Sequence, residues 1–144
     1  KHPVLAQAMI QRLDDRLVLS MPAELLFDAG GAQLSEQAQA AVRDLSDGFK
    51  YIANRIEVVG HSDPAPLGDT SVYASNWELS LARATALANI FVGAGYDRPM
   101  KTYGVADAKF YDLDKSLDRD LRLRLSRRVD LIVRSDRAEG DDDA

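Results

Sequence analysis

The chain has 144 residues, which suits one domain built around a single core, and 46% of them are hydrophobic, enough for a folded body. A net charge of -5 weighs against a nucleic-acid surface, and the lack of cysteine excludes disulfides and thiolate chemistry. No apolar run is long enough to span a bilayer. No signal peptide is visible, and the chain starts at Lys1 rather than Met, so it reads as a fragment or processed product with any anchor or export signal upstream.

Residues 1–15 read as a lead-in with about one helical turn. Arg16 to Met21 alternates, with Leu17, Leu19 and Met21 on one side, and predicts a strand. Leu25 to Gly31 is an apolar run that ends in a glycine turn. Ser35 can cap a helix reaching about Ala53, whose buried face is Ala38, Ala41, Val42, Leu45, Phe49 and Ile52. Arg55 to Gly60 is a short strand, after which Pro64, Pro66 and Gly68 break regular structure. Ser75 and Glu78 form a capping-box pattern for a helix that runs to about Ala94. Lys101 to Val105 predicts a third strand, Asp107 to Leu125 a long polar loop, and Arg128 to Arg134 the last strand. The acidic tail, 137–144, predicts disorder. The order β, α, β, α, β, β implies an α+β, two-layer sandwich with two main helices on one face of a small mixed sheet, occupying residues 16–136.

One residue in this pattern needs a partner. On a helical wheel at about 100° per residue with Leu79 as origin, Ile90 falls at about 20°, Arg83 at about 40° and Leu87 at about 80°. Arg83 therefore lies inside the apolar stripe, within two turns of the helix start. Its side chain leans back toward the loop before Asn76, and Asp63 sits at the other end of that loop. A desolvated guanidinium without a partner costs on the order of several kcal/mol. Two readings stand. In one, Arg83 makes a structural ion pair with Asp63 or Asp28. In the other, Arg83 and Asp63 hold the carboxylate and the ammonium of a zwitterionic ligand by charge-assisted hydrogen bonds.

The blocks Gly60-His61-Ser62-Asp63 and Asn76-Trp77-Glu78-Leu79-Ser80-Leu81-Ala82-Arg83-Ala84 resemble the signature of the OmpA-like peptidoglycan-binding domain. Leu26 to Gly30 with Leu34-Ser35 is similar to its first block, and Ser126 to Asp130 to its final one. The resemblance spans Leu17 to Arg134. The long loop after Asp63 and the Asn-Trp-Glu-Leu-Ser form look most like the MotB-type B subunits of flagellar motor stators. The resemblance implies a periplasmic domain, a membrane helix upstream, a stator A-type membrane subunit as partner and a homodimer. It also implies a ligand, the meso-diaminopimelate of the stem peptide. Asp63 would bind its ammonium and Arg83 its carboxylate. Asn76 and Ser62 would add side-chain hydrogen bonds, Asp28 and Ala29 would act through the first-block loop, and Leu79 would line the pocket. Ser62 stands where threonine is usual, and Ser126 where asparagine is usual.

No catalytic residue, metal ligand or cofactor is expected. His61 has only His2 as a fellow histidine, and no glycine elbow surrounds Ser62. Ser80 is expected to support the helix start, and Trp77 to pack rather than stack on sugar. The arginines at 119, 122, 124, 127, 128, 134 and 137 are interleaved with Asp118, Asp120, Asp130 and Asp136, which reads as a solvated face. Three functions are consistent with the residues. The first is a wall-binding domain that anchors a larger assembly, in a motor stator or in an outer-membrane OmpA or Pal-type anchor. The second is an envelope or secretion-system scaffold that has lost the ligand. The third is an envelope hydrolase, for which no credible acid, base or nucleophile set exists.

Overall fold

The structure, a computed structural model, describes residues 3–65, 67–68 and 71–137. In chain order the elements are α1 (Pro3–Ala6), β1 (Met9–Arg12), β2 (Arg16–Pro22), α2 (Ala23–Leu26), α3 (Glu36–Phe49), β3 (Asn54–His61), α4 (Asn76–Gly93), β4 (Lys101–Gly104), α5 (Arg119–Ser126) and β5 (Arg128–Arg137). One five-stranded sheet has the order β1-β2-β5-β3-β4. Its pairings are antiparallel except for β3 with β4, which run parallel on either side of α4. The mixed α+β sandwich expected from the sequence is present.

Two local signals place the main helices. Ser35 accepts from the Ala38 amide at 3.1 Å and starts α3, and Ser75 accepts from the Glu78 amide at 3.4 Å and starts α4. Alternation then divides the strands into two faces. Met21, Ile56, Val58, Val129 and Leu131 turn toward the helices and meet Ala38, Ala41, Val42, Leu87 and Phe91 in the core. Phe91 is the centre of an aromatic cluster, 6.3 Å from Phe49 and 5.6 Å from Tyr96 between ring centroids.

Two expectations are corrected. The lead-in contributes a strand: β1 pairs with β2 from Met9 opposite Ser20 to Arg12 opposite Leu17. All four of its residues are exposed, so no alternation marks it in the sequence. The long loop after Asp107 holds a 3-10 turn at Phe110–Asp112 and the helix α5, whose cap Asp118 accepts from the Asp120 amide. Leucines at 121, 123 and 125 alternate as in a strand and mask the helical spacing. Arg124 and Leu125 of α5 border a hollow with Val18 and Ser20, on the sheet face away from the main helices. The tail residues from 138 onward lie outside the described residues.

That second face carries matched charges rather than a free basic surface. Arg134 Nη2 lies 2.9 Å from Glu57. His61 Nε2 lies 3.0 Å from Asp130, which also receives Arg128 Nε at 3.2 Å. Burial on its own would raise the Asp130 carboxyl. The His61 hydrogen bond, the Arg128 and His61 charges and the Ser20 hydroxyl outweigh it and hold the pKa below the usual carboxylate range.

The main helix α4 is seated directly on strand backbone. A Cβ at Gly60 would stand 2.8 Å from the Ser80 carbonyl carbon, with the carbonyl oxygen closer still, and one at Gly104 would stand 2.5 Å from the Leu81 nitrogen. Gly48, near the end of α3, has open space around it.

Two measurements check this account. Gly60→Ala should destabilise by more than the roughly 1–3 kcal/mol of an ordinary overpacked core site, whereas Gly48→Ala should stabilise by about 0.5–1 kcal/mol, both read by urea unfolding. Asp130→Asn should cost about 1.5–3 kcal/mol at pH 7. Because the folded pKa is depressed, that contribution is complete above the unfolded value near 4 and drains away as pH falls through the folded one. The gap between parent and variant should therefore narrow from pH 4 downward.

Candidate functional site

The end of β3, the start of α4 and the turn into β5 converge around Arg83. The Ser80 hydroxyl donates to the Trp77 carbonyl at 3.0 Å and accepts from the Ala106 amide at 3.1 Å. Ala106 sits in the left-handed region with φ 49, and its carbonyl accepts from the Ser62 amide at 2.8 Å. The first turn of α4 thus holds the segment that presents Asp63. Ser80 does more than support its own helix, since it ties the helix to the loop after β4.

Arg83 is 8% exposed. Its Nε donates to the Gly31 carbonyl at 2.7 Å, and its guanidinium carbon stands 5.2 Å from the Phe27 ring centroid. Both partners come from the first-block loop, so Arg83 holds that loop against α4. Burial lowers the Arg83 pKa. Tyr73 and Asp63 act in the opposite sense, while Arg127 adds to the lowering. A guanidinium so shifted is still charged at neutral pH. Neither expected ion pair forms: among the described residues no carboxylate lies in salt-bridge reach of Arg83, and its terminal nitrogens make no hydrogen bond. They keep some access to solvent, since they are absent from the buried polar atoms without a partner.

Asp63 turns instead to Arg127. Arg127 Nη1 lies 2.7 Å from Asp63 Oδ2, with the aspartate side chain 14% exposed. The other oxygen accepts from the Ala65 amide at 3.0 Å and fixes a tight turn. The sequence reading puts Arg127 in a solvated basic face; the structure corrects this and gives it Asp63 as partner. β3 and β5 are in register as far as His61 opposite Arg128, which brings Arg127 beside the Ser62-Asp63 segment, where it bonds Asp63. The doubled arginine was the only available signal: Arg128 shares its side of the strand with Asp130, which leaves Arg127 on the side of Val129.

The other named residues fall at varying distance from this pair. Asn76 donates to the Ala65 carbonyl at 2.9 Å and to the Asp63 carbonyl at 3.4 Å, closing the loop on itself. Ser62 is buried and its hydroxyl donates to the Asp63 carbonyl at 3.2 Å. Leu79 is buried one turn before Arg83. Asp28 and Ala29 are exposed on the first-block loop, and Asp28 borders a hollow with Gln33, Ser35 and Arg43. That loop meets Arg83 through Gly31 instead. Trp77, expected to pack, is 55% exposed. Among the described residues no three His, Cys, Asp or Glu side chains converge as a metal site, and no helix is long and apolar enough to cross a membrane.

Comparison with known proteins bears on the same elements. YtxE of Bacillus subtilis (strain 168), an uncharacterised protein, is 30% identical over 90% of this chain and 52% of its own length. Motility protein B of Escherichia coli (strain K12) is 28% identical over 79% of this chain and 36% of its own. The chain thus spans about half, or less, of these relatives. Two solved structures share the fold. The cell wall anchor of the T6SS from Pseudomonas aeruginosa has TM-score 0.77 at 23% identity, covering 94% of this chain and 100% of that one. The periplasmic domain of Helicobacter pylori MotB has TM-score 0.77 at 17% identity, covering 94% and 86%. The model of the OmpA family matches residues 26–122, well over half of the sequence. By that match, which takes in the first-block loop, Asp63 and the whole of α4, the chain belongs to the OmpA family.

Proposed function

We propose that this chain is a non-catalytic peptidoglycan-binding domain that anchors a membrane assembly to the cell wall through the meso-diaminopimelate of the stem peptide. One observation carries the reading. Arg83 is sunk in the apolar stripe of α4, fixed by a single backbone bond at 2.7 Å, and its terminal fork has no carboxylate partner among the described residues. A guanidinium so placed is preorganised for a two-pronged contact with a carboxylate. The Asp63 carboxylate close by suits the ammonium of the same zwitterion. Ser62, Asn76 and the backbone turn at Ala65 shape the loop that presents Asp63, Leu79 adds apolar lining, and Asp28 and Ala29 form the first-block rim.

The assembly we infer is a flagellar motor stator. The likeness to Motility protein B and to a MotB periplasmic domain supports that choice. On this reading the domain takes in β1 as well as the residues 16–136 expected from the sequence, works in the periplasm as a homodimer, and follows an upstream inner-membrane helix that pairs with an A-type subunit. A specific contact favours a second reading, a secretion-system or envelope scaffold that has given up the ligand. Asp63 is already engaged by Arg127 at 2.7 Å, as charges left to pair among themselves would be. The fold shared with a T6SS cell wall anchor leaves room for a role outside motility.

Retention on purified sacculi tests the first reading. Arg83→Ala and Asp63→Ala should each weaken retention by about tenfold to a hundredfold, the equivalent of one charge-assisted contact, while thermal unfolding stays cooperative. Retention of both variants at the parent level would assign the site to the scaffold reading.

A further inference from the structure

We propose that Arg127 is a specificity-determining residue of this site: bonded to Asp63, it adds a second guanidinium to the site and restricts it to diaminopimelate tips whose carboxylate is free, excluding the carboxamide form. The inference rests on the peptidoglycan-binding reading above.

The geometry supplies the charge count. Arg127 is tied to the fold, because β3 and β5 are held in register up to His61 opposite Arg128, and just beyond that pair Arg127 bonds Asp63, the neighbour of Ser62. The contact is short, 2.7 Å, and the two side chains differ in exposure, 36% for Arg127 and 14% for Asp63. Arg127 is therefore the most exposed of the three charged side chains, and the 8% exposed Arg83 the least. Asp63 is bonded to Arg127, and the two act in opposite senses on the buried charge of Arg83. Among the described residues, then, two guanidiniums face one carboxylate.

The ligand must complete that count. A tip with a free carboxylate brings one ammonium and one carboxylate. Asp63 has lone pairs to share between Arg127 and the ammonium, and the carboxylate meets the open fork of Arg83. Every cation then has an anion beside it. A carboxamide tip brings only the ammonium. Three cations would crowd around the single carboxylate of Asp63, in a place partly withdrawn from water where screening is weak. The amide oxygen offers Arg83 a neutral acceptor in place of a charged one, and the excess charge stays. Without Arg127 the penalty falls, since two cations rather than three would then share Asp63. Selectivity should track the charge at position 127 rather than the shape of the arginine.

The test uses the full chain and two synthetic stem peptides, identical except that the free end of the diaminopimelate side chain is a carboxylate in one and a carboxamide in the other. Affinities are measured by calorimetric titration. The parent should favour the acid by about tenfold or more. Arg127→Gln should bind the amide peptide more tightly than the parent does, and its acid-to-amide ratio should fall at least severalfold. Arg127→Lys, which keeps the charge, should retain the parent ratio. Arg127→Met, which keeps the apolar stem, replaces the Gln variant if that one fails to unfold cooperatively. The proposal is overturned if the parent binds both peptides alike, or if the neutral variants keep its ratio. When the acid peptide still binds and depends on Arg83, such a result rejects the role of Arg127 alone. If neither peptide binds the parent, the peptidoglycan reading fails with it.

Discussion

The seating of α4 on the backbone of β3 and β4 is the constraint from which the site follows. Helices usually rest on sheets through a layer of side chains, but here Gly60 and Gly104 remove that layer at the first turns of α4. The helix start drops onto the strand ends, and the Ser80 hydroxyl reaches the Ala106 amide on the far side of β4. Ala106 in turn holds the Ser62 amide, so the residue next to Asp63 is fixed by a bond that leads back to the helix carrying Arg83. Two charged side chains from elements far apart in sequence are thereby held near one another by main-chain contacts. Longer side chains at Gly60 or Gly104 would lift the helix and separate Arg83 from Asp63.

Charge is treated differently on the two faces of the sheet. On the face away from the main helices, Glu57 meets Arg134, and Asp130 collects His61 and Arg128. Each of these half-buried or buried groups has an opposite charge at hydrogen-bond distance, which is the usual condition for removing a charge from water. At the loop edge on the helix side the rule is relaxed. Arg83 has a carbonyl and a ring face in place of a carboxylate, although Asp63 is near enough to influence its protonation. Arg83 nonetheless has a structural duty, since the Gly31 carbonyl and the Phe27 ring tie the first-block loop to α4 through it. The fork that this leaves unpaired among the described residues is what the proposed binding reading uses.

What could be read from the sequence divides along the same physical line. Helices α3 and α4 were legible because caps and apolar spacing are local: Ser35, Ser75 and the stripe through Leu79, Leu87 and Ile90 need no knowledge of neighbours. Arg83 was legible for the same reason, as a cation out of place on a wheel. Strand β1 was not, because an exposed edge strand has no buried face to impose alternation. Helix α5 was missed because alternating arginine and leucine hides its turn, and the Asp118 cap carries little weight by itself. The partner of Asp63 was the costliest omission. Pairing Asp63 with Arg83 or Asp28 used only the order of elements, whereas the Arg127 contact depends on the register of two strands separated by more than sixty residues.

That omission changes the chemistry of the proposed site, and with it the binding proposed there. With one arginine and one aspartate the site is a neutral match for a neutral zwitterion, and the two charges of the ligand contribute independently. With Arg127 in place Asp63 is shared, and the two halves of the ligand become coupled. The ammonium has to compete for Asp63 with a guanidinium already bonded to it at 2.7 Å, and only the ligand's own carboxylate offsets the positive charge that remains. Specificity then arises from what the site repels as much as from what it attracts. Arg127 is the more exposed member of its pair with Asp63. Arg83 is held between Gly31 and Phe27. In the proposed mode of binding, the buried guanidinium would set where the carboxylate lies, and the exposed one which charge state is admitted.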